Sequence, residues 1–114
     1  MNVDLSAVKK VFFVGIGGIG ISAIARMMLE EGKSVLGSDM SGSMIIEDLK
    51  NLGAEISLGQ GIELIPKDTG LIVYSTAIRN YDKEFFQKLE KLGIPFKSYP
   101  EMLGLVTDGK YTIA

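Results

Sequence analysis

The chain has 114 residues, a formal net charge of −2, and neither cysteine nor histidine. Those two absences remove disulfides, thiolate nucleophiles, histidine general bases and Cys or His metal ligands. The 12 basic against 14 acidic residues leave no basic excess for nucleic acid or an anionic membrane surface.

The length suits one domain with one core. No run of about 18 apolar residues offers a membrane span, and Met1 to Leu5 lacks the pattern of a signal peptide. A cytoplasmic protein is expected. Catalysis would have to rest on carboxylates, lysines or an outside partner, which favours a binding domain over a complete enzyme.

Met1 to Val8 is short and mixed and reads as a loose lead-in. Val11-Phe12-Phe13-Val14 is apolar without alternation, the pattern of a parallel strand buried on both faces. From Ile19 the period becomes helical: Ile21, Ile24, Ala25, Met28 and Leu29 share a face, and Gly32 closes the helix. Ser34 to Gly37 predicts a second strand running into Ser38-Asp39. Ser43 is the predicted N-cap of a helix through Leu52, with Gly53 behind it.

Glu55 to Leu58 predicts a third strand, Gly59-Gln60-Gly61 a turn, and Ile62 to Lys67 irregular chain. Leu71 to Tyr74 is a second continuous apolar strand, ending in the small polar turn Ser75-Thr76-Ala77-Ile78. Asp82 N-caps a helix to Leu92, ended by Gly93 and kept from continuing by Pro95. Phe96 to Ser98 is a short strand, Pro100 to Val106 a brief helix, and Tyr111 to Ile113 the start of another strand.

This alternation predicts an α/β fold: a Rossmann-like parallel sheet with helices on both faces, in a single domain. Ligands of such sheets lie outside the carboxyl ends of the strands, at the point where strand order reverses. Gly15, Gly17 and Gly20 fit G-x-G-x-x-G between the first strand and the first helix. Missing side chains let anion oxygens approach the main chain, and a helix N-terminus offers unpaired donors and partial positive charge. Asp39 stands about 20 residues further on, where a strand-end acid meets a ribose hydroxyl. Ser38, Gln60 and Ser75 to Ile78 come to the same rim. These features describe a diphosphate joined to a ribose, and leave a nicotinamide dinucleotide and a UDP-sugar both open.

Gly15-Ile16-Gly17-Gly18-Ile19-Gly20-Ile21-Ser22-Ala23-Ile24-Ala25 resembles the opening of the Mur ligases. Gly37-Ser38-Asp39, Tyr74-Ser75-Thr76-Ala77-Ile78 and Pro100-Glu101-Met102-Leu103 agree with that family in order, so the resemblance covers nearly the whole chain. Within the family, the pattern is that of members joining L-alanine to UDP-N-acetylmuramate.

The resemblance implies that residues 1–114 are the first of three domains and hold UDP-N-acetylmuramate. Gly15, Ile16, Gly17, Gly18, Ile19, Gly20 and Ser22 would surround the diphosphate. Ser38 and Asp39 would face the uridine ribose, and Gln60, Ser75, Thr76, Ala77 and Ile78 would border uracil and its ribose. ATP, magnesium and L-alanine would be handled by the central and C-terminal domains. No G-x-x-x-x-G-K-[ST] occurs in this sequence, and Gly109-Lys110 lacks the flanking residues of that motif. The chain is expected to stop just before the family's ATP loop and to bind without turnover, with no catalytic or metal-binding residue of its own.

Two departures stand out: Gln60 where the family usually has histidine, and Tyr81-Asp82-Lys83-Glu84 where it usually has Asn-Pro-Glu. The alternatives are the ligase that recycles murein tripeptide, whose glycine loop typically contains cysteine, and an NAD(P)-binding Rossmann domain.

Overall fold

A computed structural model describes residues 4–59 and 61–107. Five strands form one parallel sheet: β1 (Lys10–Val14), β2 (Ser34–Asp39), β3 (Glu55–Leu58), β4 (Leu71–Tyr74) and β5 (Phe96–Ser98), in the order β3-β2-β1-β4-β5. Helices α1 (Ile19–Glu30), α2 (Met44–Asn51), α3 (Thr76–Tyr81), α4 (Lys83–Glu90) and α5 (Tyr99–Thr107) connect or follow them. The expected Rossmann-like arrangement is present. The anticipated Gln60 contact and the strand at Tyr111 to Ile113 lie outside the described residues.

The continuous apolar strands explain the layering. Successive side chains point to opposite faces. Val11 and Phe13 therefore join the α1, α2 and α5 side with Ile24, Met28, Leu49 and Met102. Phe12 and Val14 join the other side with Ile78, Phe85 and Leu89. On that second side Tyr74, Phe86 and Phe96 form an aromatic group, Tyr74 meeting Phe86 edge-on at 5.2 Å between ring centroids.

Helix ends follow the predicted chemistry. Ser43 Oγ accepts from the Ile46 N–H at 3.3 Å, and Asp82 Oδ1 accepts from the Phe85 N–H at 3.0 Å. Gly32, at φ +82°, closes α1 in the left-handed conformation that L side chains resist.

Three local expectations are corrected. The described part of the lead-in, residues 4–8, is docked rather than loose: Leu5 is buried, and the Lys33 ammonium donates to the carbonyls of Leu5 and Val8 at 2.6 and 2.7 Å. A long cation reaching two carbonyls ties this segment to the end of α1. Residues Ile62–Leu64 form a 3-10 turn within the stretch expected to be irregular. The chain after β4 enters α3 at once instead of making an open turn.

Candidate functional site

Register builds the site before any side chain is considered. Val14 pairs with Ser38 on one side and Tyr74 on the other, and Tyr74 pairs with Ser98. The next residues, Asp39, Gly15, Ser75 and Tyr99, therefore stand level with one another across β2, β1, β4 and β5, Asp39 as the last residue of β2. Three strand spacings make this row about 14 Å long. The strand order reverses between β1 and β4, since β2 and β3 lie on one side of β1 and β4 and β5 on the other. The row thus straddles the topological switch point.

A cavity of about 370 Å³ opens there, lined by Gly15, Gly18, Ile19, Gly20, Ile21, Asp39, Ser75, Thr76, Ile78 and Tyr99. A larger hollow of about 580 Å³ lies at the opposite rim, among Lys9, Lys10, Ser34, Asp68 and Pro95. Its walls are the amino ends of the strands, and Lys10 is already paired with Asp68 at 2.7 Å. The smaller of these two has the N-terminus of α1, the longest described helix, opening into it, so the chemistry favours it.

The glycine loop is sewn to the tip of β2. Gly15 and Ile16 N–H both donate to the Ser38 carbonyl, at 2.8 and 3.1 Å, and Gly18 N–H donates to the Gly15 carbonyl at 3.1 Å. Gly17 N–H donates to Asp39 Oδ2 at 2.8 Å, while Asp39 Oδ1 accepts from Ser41 N–H at 3.1 Å. Four loop amides are thereby consumed within the chain. The first helical bond, from Ser22 N–H to the Gly18 carbonyl, leaves Ile19, Gly20 and Ile21 N–H as the first-turn donors without an intrahelical acceptor. The open donors at this rim are those three groups, one turn beyond the first glycines.

Each glycine has its own reason. Gly15 adopts φ +76° to turn the chain off β1. A Cβ on Gly17 would come 2.8 Å from Asp39 Oδ2 and 3.2 Å from Ile46 Cδ1. A Cβ on Gly20 would meet the Tyr99 ring at 2.6 Å. The third glycine of the spacing thus makes room for an aromatic from α5.

The other sequence-selected residues divide. Asp39, Ser75, Thr76 and Ile78 line the cavity with the loop. Ile16 is fully buried and lies over Gly37, while Ile78, within α3, is 1% exposed and shares a core cluster with Phe85 and Leu89 of α4. Ser38 is buried and serves the loop through its carbonyl. Ser22 is buried, and its hydroxyl donates to the Ile19 carbonyl at 2.9 Å. Ala77 lies in α3, away from strand geometry.

Sequence reading missed two lining residues, Ile21, which it placed on the inner face of α1, and Tyr99 from α5. The available signal for Tyr99 was Ser98-Tyr99-Pro100-Glu101, a capping box. Ser98 N–H donates to Glu101 Oε1 at 3.0 Å and Glu101 N–H donates to Ser98 Oγ at 3.3 Å.

Fold and cavity together define a Rossmann-like domain with a crevice at its switch point. Residues 10–111 match the family model described as "Mur ligase family, catalytic domain". The UDP-N-acetylmuramate--L-alanine ligase of Clostridium kluyveri is 42% identical over 115 residues, covering 100% of this chain and 25% of that protein.

Among solved structures, a murein peptide ligase from Psychrobacter arcticus superposes with a TM-score of 0.76 at 22% identity, over 84% of this chain and 20% of that one. The UDP-N-acetylmuramate-alanine ligase of Thermotoga maritima gives a TM-score of 0.70 at 28% identity, over 82% of this chain and 21% of that one. The chain belongs to the Mur ligase family. It spans about a quarter of the length of the curated relatives it matches.

Proposed function

We propose that this chain is the UDP-N-acetylmuramate-binding domain of a ligase that joins L-alanine to the muramoyl carboxylate in peptidoglycan precursor synthesis. The observation that carries this reading is the crevice at the switch point. Three open amides of α1 face it, and Asp39 stands at the β2 end. A diphosphate suits the helix N-terminus, where donors and dipole both favour negative charge. Asp39 spends one acceptor site per oxygen on Gly17 and Ser41, and a carboxylate has about four such sites, so it still accepts ribose hydroxyls. The 42% identity to an L-alanine ligase over the whole chain supports the choice of UDP-N-acetylmuramate over a dinucleotide.

Amide formation in the full-length enzyme would use ATP with magnesium and the L-alanine amine, through parts beyond residues 1–114. Among the described residues no three His, Cys, Asp or Glu side chains come together as a metal site, and no step of that reaction is assigned to them. This chain by itself is expected to bind without turnover. No described helix is long and apolar enough to cross a membrane. We assign the protein to the cytoplasm because ATP and UDP-sugars are found there.

The test is ligand-dependent unfolding. UDP-N-acetylmuramate at about 100 times its dissociation constant should add roughly 2.7 kcal/mol of stability, and NAD at the same concentration little. Stabilisation by NAD alone would replace this reading with a dinucleotide-binding one.

A further inference from the structure

Among the described lining residues of the candidate cavity the one charged side chain is Asp39, itself an anion. Among these described residues the neutral donors that a diphosphate would meet are the Ile19, Gly20 and Ile21 amides and the hydroxyls of the lining residues. Of these hydroxyls the phenol of Tyr99 is the one brought in from α5, and a phenolic O–H can donate to an anion.

Its placement is built in rather than incidental. Register delivers Tyr99 to the rim one residue past Ser98. The reciprocal Ser98–Glu101 bonds lock the backbone on both sides of it. The phenol then lies against Gly20, so closely that an added Cβ there would stand 2.7 Å from its oxygen and 2.6 Å from Cζ. The hydroxyl is thus held beside the second residue of α1, whose own amide is one of the three open donors.

We propose that Tyr99 is a ligand-binding residue whose hydroxyl donates a hydrogen bond to the diphosphate seated at the N-terminus of α1. Gly20 is required so that the phenol can stand there. This rests on the reading of the crevice as a nucleotide-diphosphate site. Tyr99 completes the shell of neutral donors from the β5 side, opposite Asp39 at the β2 end.

The experiment is calorimetric titration of the 114-residue chain with UDP-N-acetylmuramate, in the wild type, Tyr99→Phe, Gly20→Ala and the double variant. Tyr99→Phe keeps the ring on Gly20 and removes only the hydroxyl. Its affinity should fall about tenfold, the scale of one hydrogen bond to a charged group, while its unfolding midpoint without ligand stays at the wild-type value. Gly20→Ala should weaken binding by displacing the phenol, and the two losses should not add, because both remove the same contact.

Wild-type affinity in Tyr99→Phe would overturn this inference and leave the functional reading standing. Strictly additive losses would also overturn it. No binding of UDP-N-acetylmuramate by the wild type would overturn the functional reading, and this inference with it.

Discussion

The amide of Gly17 donates to Asp39 Oδ2 across 2.8 Å, joining the loop after β1 to the tip of β2. The contact spans 22 residues of sequence, and it needs a glycine, because a Cβ at position 17 would stand 2.8 Å from that oxygen. The acid and the glycine are thus one device. Asp39 holds the loop in the shape that leaves the α1 amides open.

Asp39→Ala removes the acceptor of a partly buried amide and should cost about 1 kcal/mol of stability. Asp39→Asn keeps an acceptor oxygen and should cost less. Urea denaturation of both variants checks the order. Equal stability of the alanine variant and the wild type would mean that the contact holds nothing.

Gly17→Val pushes a branched side chain against Asp39 and against Ile46, which is 1% exposed. Overpacking of this kind costs about 1–3 kcal/mol. The variant should stay folded and lose the stabilisation that UDP-N-acetylmuramate confers, measured as the shift in unfolding midpoint on adding ligand. A full ligand shift in this variant would show that the loop's shape is irrelevant to binding.

Gly37→Ala tests the core beneath the loop. Its Cβ would meet Ile16 Cδ1 at 2.7 Å and the Phe13 carbonyl oxygen at 2.9 Å. One of these is backbone of the neighbouring strand and cannot swing aside. The expected loss is about 1–3 kcal/mol, with the circular dichroism of the folded state preserved. Leu49→Ala, at a fully buried position between α2 and the sheet, should cost about 2–5 kcal/mol.

Acid should weaken the opposite rim. The Lys10 ammonium donates to Asp68 and holds that carboxyl below its ordinary value of 3.8. A carboxyl whose folded value is lowered contributes stability that is complete above the ordinary value and lost as pH falls through the folded one. Asp68→Asn should therefore flatten, slightly, the fall in urea midpoint between about pH 5 and pH 2. The exposure of the pair keeps the effect small.

Much of this architecture could be read locally. Strands without alternation announced a sheet covered on both faces, and the Ile21, Ile24, Ala25 and Met28 spacing announced α1. Ser43 and Asp82 announced their helix starts. Those signals are short-range: a side chain's period and a cap's reach extend over only a few residues.

The Gly15–Gly20 spacing and Asp39 likewise pointed to the rim where this cavity lies, and the family was visible in the order of four short motifs. Which amides of that rim remain open was not visible. That depends on the Ser38 carbonyl and Asp39 carboxylate arriving beside the loop, and so on β1–β2 register. Ile16 illustrates the same limit: it belongs to a ligand loop by position, yet is fully buried over Gly37, a residue 21 places away. Tyr99 reaches the cavity only because β5 lies beside β4, and α5 begins where the sheet ends. Composition and periodicity specify what each segment is. Strand order and register specify what it meets, because contacts between distant segments form only when the whole sheet closes its hydrogen bonds at once.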